Sequence, residues 1–244
     1  MAASDDDGFG LEEIADCAWL VRFDGGLSRE TNERVHAAAR AMRAARLPGV
    51  VDIVPAYASI AVVFDEPSVD SRDALAERVY ELALESGPGR SLPRRTVVVP
   101  AAYGGSEGPD LEELARRVGL SPDEVVRRHS AVGYTVGMLG FLPGFPYLIG
   151  LDPALHLARR DTPRAHVPAG SIGIGAAQTG IYPITSPGGW HLIGRTAAVL
   201  FDASRNPPTL LEPGDNLRFR AVDANVLASS AVEVTGGEVV GRDA

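Results

Sequence analysis

Residues 140 to 153 read GFLPGFPYLIGLDP, and residues 167 to 196 read VPAGSIGIGAAQTGIYPITSPGGWHLIGRT. Between Gly140 and Thr196 stand 10 Gly and 7 Pro, so 17 of the chain's 45 Gly and Pro residues fall in 57 of its 244 positions. No regular helix survives that density, because proline removes a donor and glycine carries a large entropic cost inside a helix. Glycine serves where the backbone must take positive φ or lie close to something else, and proline where φ is fixed in advance. The stretch therefore predicts short strands separated by tight turns, forming one wall of a site.

The same texture continues from Tyr134 to LLEPGDNLRFRAV, whose turn at Pro213 to Asp215 leads into alternation through Leu217, Phe219 and Ala221. Many short strands between Gly and Pro turns predict a barrel or sandwich. Upstream the pattern differs. CAWLVRF is strand-like, SRETNERVHAAARAMRAARLPG is a helix with Ser28 and Thr31 as capping residues, VVDIVPAY and SIAVVFDE are strands, and SVDSRDALAERVYELALES is a second helix before the strand RRTVVVP. The order β-α-β-β-α-β is the ferredoxin-like pattern. Two short helices follow, PDLEELARRVG and SPDEVVRRHS, the second opened by Ser121 and Pro122. The fold class expected is α+β: an N-terminal α/β domain over residues 1–92, with 1–10 disordered, then a β-barrel domain over 93–244. The terminal GGEVVGRDA is expected to be a frayed tail.

Composition excludes several classes of function. Net charge is −9 and the pI near 5.1, which argues against nucleic acid as a partner. The segment 140–196 runs against that balance, with Arg159, Arg160, Arg164 and Arg195 facing only Asp152 and Asp161. It suits a carboxylate or phosphate. All 23 basic residues are arginine, so the chain supplies no lysine for a Walker A loop, a Schiff base or a Ser-Ser-Lys triad. No apolar run approaches membrane-spanning length, the acidic start MAASDDDGFG lacks the features of a signal peptide, and a single cysteine excludes an internal disulfide; together these point to the cytoplasm. GSIGIGAAQTG places Gln178 where a dinucleotide fingerprint needs its third glycine, and no helix follows. The five histidines have no metal-ligand spacing, and Cys17, on an apolar strand, reads as a buried inert thiol.

What remains is a set of polar and aromatic residues inside turn-rich apolar sequence: Arg164, Ser171, Gln178, Thr179, Tyr182, Ser186, Trp190 and Arg195. They are the inventory of a pocket for a small polar substrate, with fork donors for an anion, amides and hydroxyls for orientation, and an aromatic wall.

GFLPGFPYLIGLDP, TPRAHVPAGSIGIGAAQTGIYP and SPGGWHLIGRT closely resemble the family known as the B-type subunit of 5-oxoprolinase, as allophanate hydrolase subunit 1 or as sporulation-kinase inhibitor. The resemblance extends more weakly to YGGSEGPDLEELA, to His129-Ser130, to LFD, to LLEPGD and to the N-terminal ADCAWLVRFD and LPGVVDIVPAYAS, covering nearly the whole chain. Ala102 stands where many relatives carry Cys, and Cys17 where Arg is common. The resemblance implies a small α/β N-terminal domain followed by a cyclophilin-like β-barrel. It implies a hydrolase component, inactive alone, in an ATP-dependent complex that opens 5-oxo-L-proline to L-glutamate. The partners implied are a C-type subunit, the second carboxyltransferase-like half, and an A-type subunit of the LamB/YcsF kind, with ATP and Mg bound in the assembled complex. The other names imply a role related to urea carboxylase, or a binding module that inhibits a histidine kinase. On the oxoprolinase reading, Arg164 binds the anion, Gln178, Thr179 and Tyr182 orient substrate, His129 acts as general acid or base, and Phe145, Ser171, Ser186, Trp190 and Arg195 line the substrate site.

Overall fold

Asp16 and Cys17 turn the chain back on itself, so that strand β1 (Phe9–Ala15) pairs antiparallel with β2 (Ala18–Phe23). The structure, a computed structural model, describes residues 8–85 and 95–236. Helix α1 (Arg29–Ala45) starts where the Ser28 hydroxyl accepts the Thr31 N–H at 3.0 Å, and it stops at Arg46, whose φ of 45° is left-handed. Strands β3 (Val50–Ala56) and β4 (Ser59–Phe64) form a hairpin, and helix α2 (Arg72–Leu84) begins under a Ser71 cap. The sheet order is β1-β2-β4-β3 with every neighbour antiparallel. Trp19, Val21 and Phe23 alternate with exposed or half-buried neighbours, as do Ile60, Val62 and Phe64, and both sets share one core with Val35 and Met42 of α1.

The ferredoxin-like pattern is met only in part. In that pattern the first and third strands lie side by side and antiparallel, as their counterparts β2 and β4 do here. The fourth strand expected from RRTVVVP is absent from this sheet, and its edge place beside β2 is taken by β1. The disorder expected over 1–10 is corrected at Phe9, which is buried, its ring 5.5 Å from Phe23 and 4.8 Å from Tyr80. Residues 1–7, the segment 86–94 around the expected domain boundary, and the tail beyond Gly236 lie outside the described residues.

By internal contacts the chain divides into two compact units, Met1–Leu92 and Pro93–Ala244. The second unit opens with β5 (Thr96–Tyr103), then α3 (Leu111–Val118) and α4 (Pro122–Ala131). It continues through β6 (Tyr134–Leu139), β7 (Pro146–Ile149), β8 (Arg164–Val167), β9 (Ser171–Gly175), β10 (Gln178–Ile181), β11 (Ser186–Gly188), β12 (His191–Arg195), β13 (Asn216–Ala221) and β14 (Glu233–Thr235). Strands run in the order β12-β9-β10-β7-β6-β13-β5, and β5 pairs back onto β12, closing a seven-stranded barrel. Among the described strands only β13 and β5 pair in parallel; β14 adds to the start of β5, and β8 with β11 makes a separate ribbon. Alternate residues such as Val97 and Val99, Ile172 and Ile174, and Leu217 and Phe219 fill one core with α3 and α4 residues Leu114 and Val125. Closure satisfies the strand edges that an open sheet of this composition would expose.

Candidate functional site on the barrel wall

Alternation along β9 and β10 explains the glycines. Ile172, Ile174, Thr179 and Ile181 are buried with the barrel interior, so Gly173, Gly175 and Gly180 occupy the opposite face. With no side chains there, the wall carries a trough at backbone level, and aromatic rings fill it. A Cβ built on Gly175 would lie 2.6 Å from the Trp190 indole, and one on Gly188 would lie 2.4 Å from the Tyr182 hydroxyl. The result is a second, smaller core of Phe145, Val167, Tyr182, Trp190 and Leu192. Phe145 is its hub, with ring centroids 5.2 Å from Tyr182, 5.5 Å from Trp190 and 4.9 Å from Tyr147, the first two edge-on as aromatic quadrupoles favour. The structure thus brings together three of the expected site residues, Phe145, Tyr182 and Trp190. Burial raises the Tyr182 pKa, against an opposing hydrogen bond with the Trp190 main chain and the nearby Arg159 and Arg164 charges.

The arginines around this block differ in what already holds them. Arg164, expected to receive the substrate anion, has its fork occupied by the buried Asp110 carboxylate, at 2.8 Å from Nη1 and 2.6 Å from Nη2. Asp110 also accepts the Leu192 N–H at 2.7 Å, and Arg160 Nη1 approaches it at 3.5 Å. Arg164 therefore fastens β8 to the start of α3. Arg195 donates Nε–H to the Ala169 carbonyl at 3.0 Å and has Glu107 3.7 Å from Nη1. Arg159 is different: it is exposed, its guanidinium lies 5.8 Å from the centroid of the Trp190 ring, and among the described residues it has no carboxylate partner.

Two further expected site residues meet inside the barrel, away from this face. His129 is fully buried, with Nδ1 2.9 Å from the Tyr103 hydroxyl and Nε2 2.9 Å from Thr179 Oγ1. Thr179 donates its own proton to the Gly173 carbonyl at 2.9 Å, so it accepts from His129 Nε2–H, and Nδ1 accepts from Tyr103. The ring packs on Phe219 at 4.7 Å and beside Tyr134, and burial depresses its pKa to about 3. In this structure the imidazole is neutral, sealed from solvent and bonded at both nitrogens, and His129 and Thr179 form a buried hydrogen-bonded chain that fixes α4 to the barrel wall. Ser171 is buried, its carbonyl accepting from the Tyr182 N–H at 2.9 Å; Ser186 turns its hydroxyl to the Pro187 carbonyl at 3.2 Å; Gln178 is half-buried beside the Ala176-Ala177 turn. Cys17, expected buried, is exposed at the β1–β2 turn.

Sequence reasoning names Arg159 only as one of four arginines in a basic segment, and it passes over Asp110 and Tyr147. Arg159 carries a weak signal as one of the arginines in ARRDTPR; Asp110 carries none, because it stands 54 positions from the arginine it binds.

These features define a barrel protein with a glycine trough, filled by aromatics and rimmed by arginine, on the outer face of one wall, and a separate four-stranded sheet unit before it in sequence. Residues 9–211 match the family model described as carboxyltransferase domain, subdomain C and D. The chain belongs to that family. It is similar to the B-type subunit of 5-oxoprolinase from Bacillus subtilis (strain 168), at 40% identity over 86% of this chain and 91% of the relative. It is also similar to the B-type subunit of 5-oxoprolinase from Escherichia coli O157:H7, at 47% identity over 84% of this chain and 93% of that one. Among solved structures, TTHA0988 matches at 39% identity with a TM-score of 0.75, over 85% of this chain; the match spans 40% of the TTHA0988 chain.

Proposed function

We propose that this chain is the B-type subunit of an ATP-dependent assembly that hydrolyses 5-oxo-L-proline to L-glutamate. The observation that carries the reading is the near full-length similarity to two bacterial proteins named as the B-type subunit of 5-oxoprolinase. The barrel wall supports it physically: opening a lactam that carries a carboxylate calls for a cationic anchor, and the exposed Arg159 beside the buried Trp190 supplies one. Among the described residues no cluster of three His, Cys, Asp or Glu is placed to hold a metal ion, and the chain has no lysine for a phosphate-binding loop. On this reading MgATP is bound in the assembled complex with the companion proteins, the C-type subunit and the A-type LamB/YcsF subunit. This chain's part is to bind and orient the acid.

The test is ADP and glutamate release by the purified chain, by its two companions, and by all three together. Turnover dependent on 5-oxoproline is expected only from the full set. Robust turnover by this chain alone, or none by the full set, would overturn the proposal.

A further inference from the structure

We infer that Arg159 is the residue that binds the carboxylate of a small cyclic acid at the outer barrel wall, with Trp190 as the surface beneath the guanidinium. The inference deepens the oxoprolinase reading and rests on it only for the identity of the acid. Three observations converge on Arg159. The other arginines of the segment 140–196 are committed within the chain: Arg164 and Arg160 to Asp110, and Arg195 to Ala169 and Glu107. Arg159 alone of the four presents its donors without a carboxylate partner among the described residues. The Arg159 guanidinium carbon lies 5.8 Å from the Trp190 ring centroid, within cation–π range, and a guanidinium so placed carries the fork of N–H donors that a carboxylate takes at two points.

The segment that carries Arg159 is also held on both sides. Leu157 exchanges two main-chain hydrogen bonds with Ala176, at 3.2 and 2.7 Å. The Ala158 carbonyl accepts from Nε2 of the buried His191 at 2.9 Å, and the Arg160 N–H donates to the Gly189 carbonyl at 2.8 Å. The last two partners flank Trp190 in sequence, so one short stretch of chain positions both the ring and the arginine above it. Such a cation loses less freedom on binding than one on a free loop. His191 is a positioning residue in this arrangement.

The experiment uses the full chain with Trp19→Phe, which leaves Trp190 as its only tryptophan. Trp190 emission and heat are followed while 5-oxoproline, cyclopentanecarboxylate and 2-pyrrolidinone are titrated in turn. Saturable binding of both acids and none of the neutral lactam is expected, with affinity falling tenfold or more in Arg159→Gln and partly in Arg159→Lys, which keeps the charge and loses the fork. Arg220→Gln, at an exposed arginine of β13 paired with Glu233, controls for net charge and should bind as the parent does. Binding of cyclopentanecarboxylate that depends on Arg159, without binding of 5-oxoproline, would uphold the inference and sink the oxoprolinase reading. Acid binding unchanged by Arg159→Gln, or no acid binding at all, would overturn the inference itself.

Discussion

Replacing His129 by glutamine should remove a pH-dependent component of barrel stability whose size follows from the geometry. The imidazole is fully buried among Tyr103, Tyr134, Phe219 and Thr179, none of them charged at neutral pH, and burial holds its pKa near 3. An unfolded histidine titrates near 6.5. Between these values the unfolded chain binds a proton that the folded chain refuses, so stability rises with pH. His129 thus contributes stability that is complete above about pH 6.5 and is lost as pH falls toward 3. From pH 7 to pH 5 the loss is about 2 kcal/mol, at roughly 1.4 kcal/mol per pH unit below 6.5. The assay is urea unfolding at both pH values in the Trp19→Phe background, followed by Trp190 emission so that the second unit is read. Glutamine keeps polar atoms at the site but has no proton to refuse. Parent and variant should lose different amounts of stability between pH 7 and 5, the difference being about 2 kcal/mol; the other titrating groups are common to both and cancel. Equal losses would mean that His129 titrates normally in the folded state, and the assignment of a neutral, sealed imidazole would be wrong.

Asp110→Asn should lower the melting temperature by several degrees, because it leaves Arg164 without its counter-charge; Arg164 keeps some solvent contact, so the cost expected is about 2 kcal/mol, less than for a fully sealed pair. Calorimetry of the variant checks this, and an unchanged melting point would remove Asp110 as the fastening of β8. Gly175→Ala should destabilise the second unit by about 1 to 3 kcal/mol and shift Trp190 emission, since the new methyl meets the indole at 2.6 Å. Gly133→Ala, where the nearest atom is 3.7 Å away, is the matched substitution that should leave Trp190 emission unmoved.

Local signals in the sequence are reliable where the structure uses local chemistry. Ser28 before α1, and Ser121 with Pro122 before α4, cap helices through contacts three residues away. The turn before Asn216 and the short strands after Tyr134 follow from Gly and Pro chemistry in the same way. Strand β1 escapes a sequence reading because its burial does not alternate and four of its seven residues are exposed; pairing with β2, not an apolar face, makes it a strand. Without it β2 lacks a partner, and TVVVP, apolar enough for either sheet, is drawn into the wrong one. His129 is legible in part: it follows Val125 by one helical turn, and both face inward, a spacing hidden by the flanking arginines. The roles of the arginines are not legible. All four look alike in sequence, and only Asp110 and Glu107, distant along the chain, distinguish those that are occupied.

The parallel pairing of β5 with β13 governs how this barrel can be made. β5 is its first strand, while β13 is the last of the seven to leave the ribosome, and Arg95 and Asp215, paired at 3.0 Å, are 120 positions apart. Until Ala221 has been synthesised, β5 and β6 each lack a neighbour, and the nascent sheet stays open along that seam. Closure is a late, long-range event, of the kind that slows folding and leaves intermediates sticky. Translation that stops short of β13 yields a chain with most of its barrel sequence and no barrel, a natural substrate for chaperones and for quality-control proteases.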